Sequence, residues 1–72
     1  MIPIKKIGKI TKGEYEGWLI TVDPQEEGYV VPYWSQEQCL GFDDYYFSYE
    51  DLEDSMPDYC VEWTDEDYVP RK

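Results

Sequence analysis

Residues 15–34 read YEGWLITVDPQEEGYVVPYW and hold the two clearest strand signals of the chain, on either side of one turn. The first signal is Tyr15–Val22, in which large apolar side chains alternate with smaller or polar ones. Alternation with a period of two residues predicts a strand with one buried face. The inward set is predicted to be Trp18, Ile20 and Val22.

The second signal is Tyr29–Trp34, which is apolar on both faces. Pro32 cannot donate to a strand ladder, so it favours an edge strand or a bulge at this position. Between the two strands, Asp23-Pro24 opens a predicted loop that Gly28 closes, because proline fixes φ and glycine tolerates unusual values.

Three further strands are predicted outward from this pair. They cover Ile4–Thr11, with a bulge at Gly8, then Tyr45–Ser48, and Tyr59–Trp63. The segment Ser35–Gly41 is predicted to be loop, and residues 64–72 a frayed tail.

One short helix is predicted before the last strand. Ser48 is a suitable N-cap, and the acids that follow favour the positive end of a helix dipole. Leu52 and Met56 are four residues apart, the spacing that places two side chains on one helix face. Pro57 ends the helix.

The predicted fold is a small all-β or β-rich α+β domain covering residues 1–72, with about five antiparallel strands and the helix before the last. This layout resembles SH3-like barrels, which implies a twisted partial barrel, since closing a sheet also removes exposed edges. The peptide-binding motifs of SH3 domains do not line up along the chain. A four-stranded sheet with the helix on one face is the alternative.

The distribution of charge is uneven along the chain. The chain contains seventeen Asp and Glu and six Lys and Arg, which gives a net charge of −11. No basic residue lies between Gly13 and Pro70. Affinity for nucleic acid comes from neutralising phosphates with basic side chains, so direct nucleic-acid binding is not expected. No apolar run reaches the length of a membrane span and no signal-like block follows the first residues, so we expect no membrane association and a cytoplasmic location.

Catalysis has little support in the residue types. The chain has no His, the side chain best suited to proton transfer at neutral pH. Cys39 and Cys60 lack metal-ligand spacing and are predicted to be reduced thiols. The acidic runs 43–44 and 65–67 lack the spacing of a calcium loop. We therefore expect a protein that is not an enzyme, with no metal site and no cofactor.

The acids are interleaved with aromatic residues. Of the 27 residues in Phe42–Tyr68, 11 are Asp or Glu and 8 are Phe, Tyr or Trp. Carboxylates steer the approach of a cationic partner, and Tyr and Trp are enriched among residues that dominate binding energy. The predicted partner-binding residues are Asp43, Asp44, Tyr45, Tyr46, Tyr49, Glu50, Asp51, Glu53, Asp54 and Asp58.

In size, charge and Asp/Tyr-rich sequence the chain is similar to two groups of microbial inhibitors, the immunity proteins against nuclease toxins and phage-encoded DNA mimics. Asp43-Asp44-Tyr45-Tyr46 partly matches the Asp-x-x-Tyr-Tyr element of immunity proteins of the colicin DNase type, which are helical whereas this chain is predicted to be β. The resemblance implies a functional type: an inhibitor of a basic nuclease or other nucleic-acid-binding protein.

Two other functions compete with inhibition. One is an SH3-like adaptor that binds a basic peptide or a subunit of a larger assembly. The other is a structural phage or housekeeping protein whose charge maintains solubility. Neither the partner nor the oligomeric state follows from the sequence.

Overall fold

A computed structural model describes residues 2–56 and 60–69. They form six strands and one helix in the following order: β1 Lys6–Ile10, β2 Leu19–Ile20, β3 Asp23–Gln25, β4 Gly28–Ser35, β5 Leu40–Tyr46, α1 Tyr49–Ser55 and β6 Val61–Asp67.

All six strands belong to one antiparallel sheet. Strand β1 pairs with β2 on one side and β6 on the other, while β4 pairs with β2, β3 and β5. Leu19 is opposite Trp34 and Asp23 is opposite Val30, so β2 and β3 keep one register against β4. They are two halves of one interrupted strand.

Pro32 lies in the central strand β4, so the expectation of an edge position for it is wrong. Its neighbour Thr21 lies in the gap between β2 and β3 and donates its amide to the Pro32 carbonyl at 3.1 Å. Proline has no N–H that could donate to the Thr21 carbonyl in return. The hydrogen-bond ladder between β4 and the strand formed by β2 and β3 is therefore interrupted at this position.

The strand predicted to begin at Tyr15 begins only at Leu19. Gly17 has φ of 91° and donates to the Ile10 carbonyl at 2.7 Å, which turns the chain back toward β1. In contrast, Asp23-Pro24 was expected in a loop and lies in β3, because the turn before Gly28 needs only Glu26 and Glu27.

Strand β5 begins at Leu40, five residues before the predicted start, so the predicted loop is shorter. Cys39 has φ of 54° and reverses the chain within a few residues. Strand β6 extends to Asp67, beyond the predicted end at Trp63, so residues 64–67 are strand and not a frayed tail. The Thr64 hydroxyl donates to the Ile7 carbonyl at 2.8 Å and helps to hold this extension on β1.

The register of β1 against β6 shifts between Lys6 and Gly8, but the extra residues are on β6: Ile7 alone separates the two paired positions of β1, whereas residues 64–66 separate Trp63 from Asp67. The expectation of a bulge in β1 is therefore wrong, and the irregularity lies in β6. Gly8 is buried beneath Val61 and Trp63, and a Cβ at this position would collide with both side chains. A glycine is therefore required for β6 to lie close to β1.

The core occupies one face of the sheet. The predicted inward residues Trp18, Ile20 and Val22 are all buried, as expected. Among the described residues, the buried hydrophobic side chains are Ile10, Trp18, Ile20, Val22, Val31, Tyr33, Leu52 and Met56. Phe42 extends this cluster at its edge, where its ring stacks on Trp18 at 5.9 Å.

The predicted helix is present. Ser48 is its N-cap and accepts a hydrogen bond from the Asp51 amide at 3.2 Å. Leu52 and Met56 are buried against the sheet, as their spacing predicts. Pro57, which was predicted to end the helix, lies outside the described residues.

The molecule is thus a small strand-rich protein with an antiparallel sheet and one short helix. No pairing joins β5 to β6 within residues 2–56 and 60–69, so the described sheet is open and not a closed barrel. None of the described residues forms a helix long and apolar enough to cross a membrane.

Candidate interaction surface

The predicted binding segment is divided between two faces of the molecule. Tyr46 and Tyr49 pack against the core cluster, whereas Tyr45 is on the opposite face of β5. The structure therefore does not bring these three tyrosines into one patch. Asp58 lies outside the described residues.

The side chain of Tyr49 makes its contacts within the fold. Its hydroxyl accepts a hydrogen bond from the Ile2 amide at 2.7 Å and donates to the Ile2 carbonyl at 3.0 Å. Its ring meets Tyr29 edge-on with 5.9 Å between centroids. Tyr49 thus holds the N-terminal segment against the helix, and its contact with a partner stays a prediction.

Tyr45 and Phe47 form an exposed aromatic pair. Their side chains are 49% and 79% exposed, and the two rings meet edge-on with centroids 5.3 Å apart. The Tyr45 hydroxyl donates to the Glu27 carbonyl at the turn between β3 and β4. One ring of the pair is thereby fixed on the sheet, and the other projects into solvent.

The acids predicted on the helix are all exposed. Glu50 and Asp51 are in the first turn, where negative charge is favourable, and the remaining two are Glu53 and Asp54. They project from a helix whose buried side packs on the core face through Leu52. Phe47 of the aromatic pair lies two residues before the start of this helix.

The two acids of β5 differ in environment. Asp43 is exposed on the same face as Tyr45, because alternate residues of a strand share a face. Asp44 is half-buried on the core face, near Tyr33. Burial raises the pKa of the Tyr33 hydroxyl, and the negative charge of Asp44 raises it further.

The face of the sheet away from the core carries a second set of apolar residues, here called the outer face. It consists of Val30, Pro32 and Trp34 of β4, which are paired with Tyr45, Asp43 and Gly41 of β5. The three β4 residues are half-buried. A solvated sheet face normally carries polar side chains, so this apolar face is a candidate interaction surface.

A cleft of about 640 Å³ crosses the outer face where β6 ends, here called the outer cleft. Its floor and walls include Pro32, Trp34 and Tyr68, and the Trp34 and Tyr68 rings are 5.7 Å apart at 43°. The carboxylates of Asp43 and Asp67 are at its border. The backbone of Tyr68 is fixed, since its amide donates to the Lys5 carbonyl at 2.8 Å.

Two lysines of β1 lie near this surface: Lys6 and the exposed Lys9, which is opposite Leu19 of β2. Lys6 forms an ion pair with Asp67, and that hydrogen bond raises the pKa of the Lys6 ammonium. It is the one ion pair within the described ranges. The acids of the outer face and of the helix therefore present a negative potential to an approaching molecule.

Among the described residues, no group of three or more Cys, Asp and Glu side chains converges as metal ligands would. Cys39 is exposed, Cys60 is half-buried, and the two are not joined in a disulfide. The side chains that this surface presents are mainly aromatic rings and carboxylates.

Sequence reasoning missed Phe47, Trp34 and Tyr68 as surface residues. Tyr29–Trp34 was apolar on both faces, and an open sheet has only one core face. That excess of apolar residues was the available signal for an interaction surface.

In the comparisons with known proteins, no family model, curated protein or solved structure matches this chain.

Proposed function

We propose that this protein is an acidic inhibitor that binds a basic, nucleic-acid-handling protein and blocks its nucleic-acid site. It acts either as an immunity protein against a nuclease toxin or as a phage-type DNA mimic, such as an anti-restriction or anti-CRISPR protein. The role needs no catalysis, cofactor or metal, and belongs to the cytoplasm, where both thiols stay reduced.

The observation that carries the proposal is the aromatic outer face of a chain without a basic residue from Gly13 to Pro70. Duplex DNA presents one negative charge per roughly 1.7 Å of its axis. A small protein can imitate that density over a patch by crowding Asp and Glu there and keeping Lys and Arg out of the patch. Tyr45 and Phe47 then supply the close contacts that charge alone does not give.

The test is a competition experiment. The immobilised protein captures host proteins at about 50 mM NaCl, where electrostatic attraction is strong, with and without excess duplex DNA. We expect nucleic-acid-handling proteins to be retained and DNA to displace them. The purified partner should lose its nuclease or DNA-binding activity at equimolar inhibitor. Retention unaffected by DNA would contradict the proposed role.

Variants distinguish the contribution of the acidic side chains to binding from that of the aromatic side chains. Asp51→Lys with Asp54→Lys should slow association and weaken its dependence on salt, since steering acts at long range. Phe47→Ala should chiefly speed dissociation, as the loss of a packed anchor does. Glu14→Lys with Glu16→Lys is the matched control, with the same change of charge in the turn before β2 instead of on α1. If only the control pair abolishes binding, the binding face is misassigned.

The second candidate is an adaptor with an SH3-like partial barrel that binds a basic peptide. The observations that favour it are the strand order, with β6 returning to β1 after a short helix, and the outer cleft. An adaptor would retain its partner in the presence of excess DNA and leave the partner's activity intact. The competition experiment therefore discriminates between the two functions.

A further inference from the structure

We propose that the outer cleft receives an arginine side chain of the basic partner, with the guanidinium against the Trp34 and Tyr68 rings and paired with the Asp43 carboxylate. This inference rests on the proposed function and adds the chemical group that the surface recognises.

The walls of the cleft suit a flat, partly apolar group. The Trp34 and Tyr68 rings pack on each other, with their centroids 5.7 Å apart, and give one aromatic wall on which a flat group can lie. Pro32 precedes Trp34 by two residues on the same face of β4. The volume of about 640 Å³ lies within the roughly 300–1,000 Å³ of sites that enclose small ligands. The side chain of an arginine, with its apolar stem, fits such a space.

The charge at the border of the cleft selects a cation. Asp43 is exposed opposite Pro32, and none of the ion pairs within residues 2–56 and 60–69 involves it. Asp67, across the cleft, already holds Lys6. Asp43 is therefore the carboxylate that remains available to a cation entering from solvent.

The combination of rings and carboxylate favours arginine over lysine. A guanidinium is planar, stacks on aromatic rings and offers paired donors that match a carboxylate. It is also more weakly hydrated than an ammonium, so less solvation is lost when it lies against a ring. A lysine would satisfy the charge of Asp43 and leave the two rings with weaker contacts.

The experiment uses short glycine peptides with a single central arginine, lysine or citrulline, added to the ¹⁵N-labelled protein at about 50 mM NaCl. We expect saturable shifts of the Trp34 indole N–H and of the Asp43 and Tyr68 amides with the arginine peptide. Affinity for the lysine peptide should be lower by about threefold or more. The uncharged citrulline peptide should cause no saturable shift.

Variants test each contact. Asp43→Asn and Trp34→Leu should each weaken arginine-peptide binding by about fivefold. The matched controls are Glu26→Gln, with an equal loss of charge, and Phe47→Leu, an aromatic of the surface outside the cleft; both should change affinity by less than about twofold. If the spectrum of Trp34→Leu shows unfolding, Tyr68→Leu tests the same wall.

Shifts spread evenly over all acidic segments, or equal affinities for arginine and lysine, would overturn the inference. So would an Asp43→Asn variant no weaker than Glu26→Gln. These failures leave the proposed function standing if captured partners are still displaced by DNA. Conversely, peptide binding in the cleft without capture of nucleic-acid-handling proteins would remove the proposed function and keep the arginine site.

Discussion

Tyr45, Tyr46 and Tyr49 are close in sequence but contact different parts of the molecule. Tyr45 is on the outer face, Tyr46 packs toward the core, and Tyr49 hydrogen-bonds the backbone of Ile2. Their identical chemistry gave no means of assigning these positions, because the face of each residue depends on the register of β5 and on the start of α1. Substitutions at these tyrosines should accordingly separate stability from binding.

Tyr49→Phe should lower the free energy of unfolding by about 1–2 kcal/mol, because it leaves the Ile2 amide without its partner. Urea denaturation at neutral pH measures the change. Tyr45→Phe is the control: its hydroxyl donates at an exposed site, so its cost should stay within about 0.5 kcal/mol. Equal losses for the two variants would show that the hydroxyl of Tyr49 has no special structural role.

The pH dependence of stability should show a loss above about pH 10. The folded protein raises the pKa of Tyr33 through burial and that of Lys6 through its hydrogen bond with Asp67. With raised values, the folded state holds protons that the unfolded chain has already released, so stability falls as the pH rises. Both groups contribute their full stabilisation when the pH is below the pKa values that they have in the unfolded chain.

Denaturation at pH 9 and pH 11 in the wild type and in Tyr33→Phe measures the part of this loss that belongs to Tyr33. The variant lacks the titrating hydroxyl, so its loss of stability over this range should be smaller. A loss of the same size in both proteins would assign the effect to other groups.

The helix was predictable from local signals, whereas the strand bounds were not. Ser48 and the Leu52/Met56 spacing specify α1 without reference to the rest of the chain. The bounds of β5 and β6 depend on distant contacts, such as Phe42 on Trp18 and Thr64 with Ile7. Pattern within a segment cannot reveal such tertiary partners.

The candidate surface was predictable only as a mixture of acids and aromatics. The exposure of Tyr45 and of the helix acids agrees with it, but the outer cleft joins β4 to the end of β6. Trp34 and Tyr68 are 34 positions apart, and their contact arises only once β6 lies beside β1. Pairings at that separation depend on sheet topology.

The cap of α1 gives a prediction for this element. Ser48→Ala removes the acceptor of the Asp51 amide and should cost about 1 kcal/mol in thermal or urea unfolding. Ser55→Ala, in the last turn of the same helix, is the control and should cost nothing, because alanine has the highest helix propensity. A loss confined to Ser55→Ala would contradict the role of the cap.

The whole molecule carries a net charge of −11, and the described part contains a single ion pair. Repulsion among like charges destabilises a compact state, and added salt screens it. We expect the melting temperature at pH 7 to rise between low salt and about 0.5 M NaCl. An unchanged or lower value in thermal melts would show that the acids are compensated within the fold.

The pairing of β1 with β6 also sets the order in which the chain can be assembled during synthesis. Strands β1 to β5 pair with segments that are close in sequence, so their partners are synthesised soon after them. The edge of β1 that pairs with β6 has no partner until residue 67 has left the ribosome. Contacts between distant segments are the slow ones to form, so docking of β6 is expected to be the late step of folding. Until then the nascent chain displays Lys6 and Lys9 on an unpaired edge, while most of its acids have already been made. Before β6 docks, the free edge of β1 therefore belongs to a lysine-bearing strand; in the folded protein the acidic strand β6 occupies that edge.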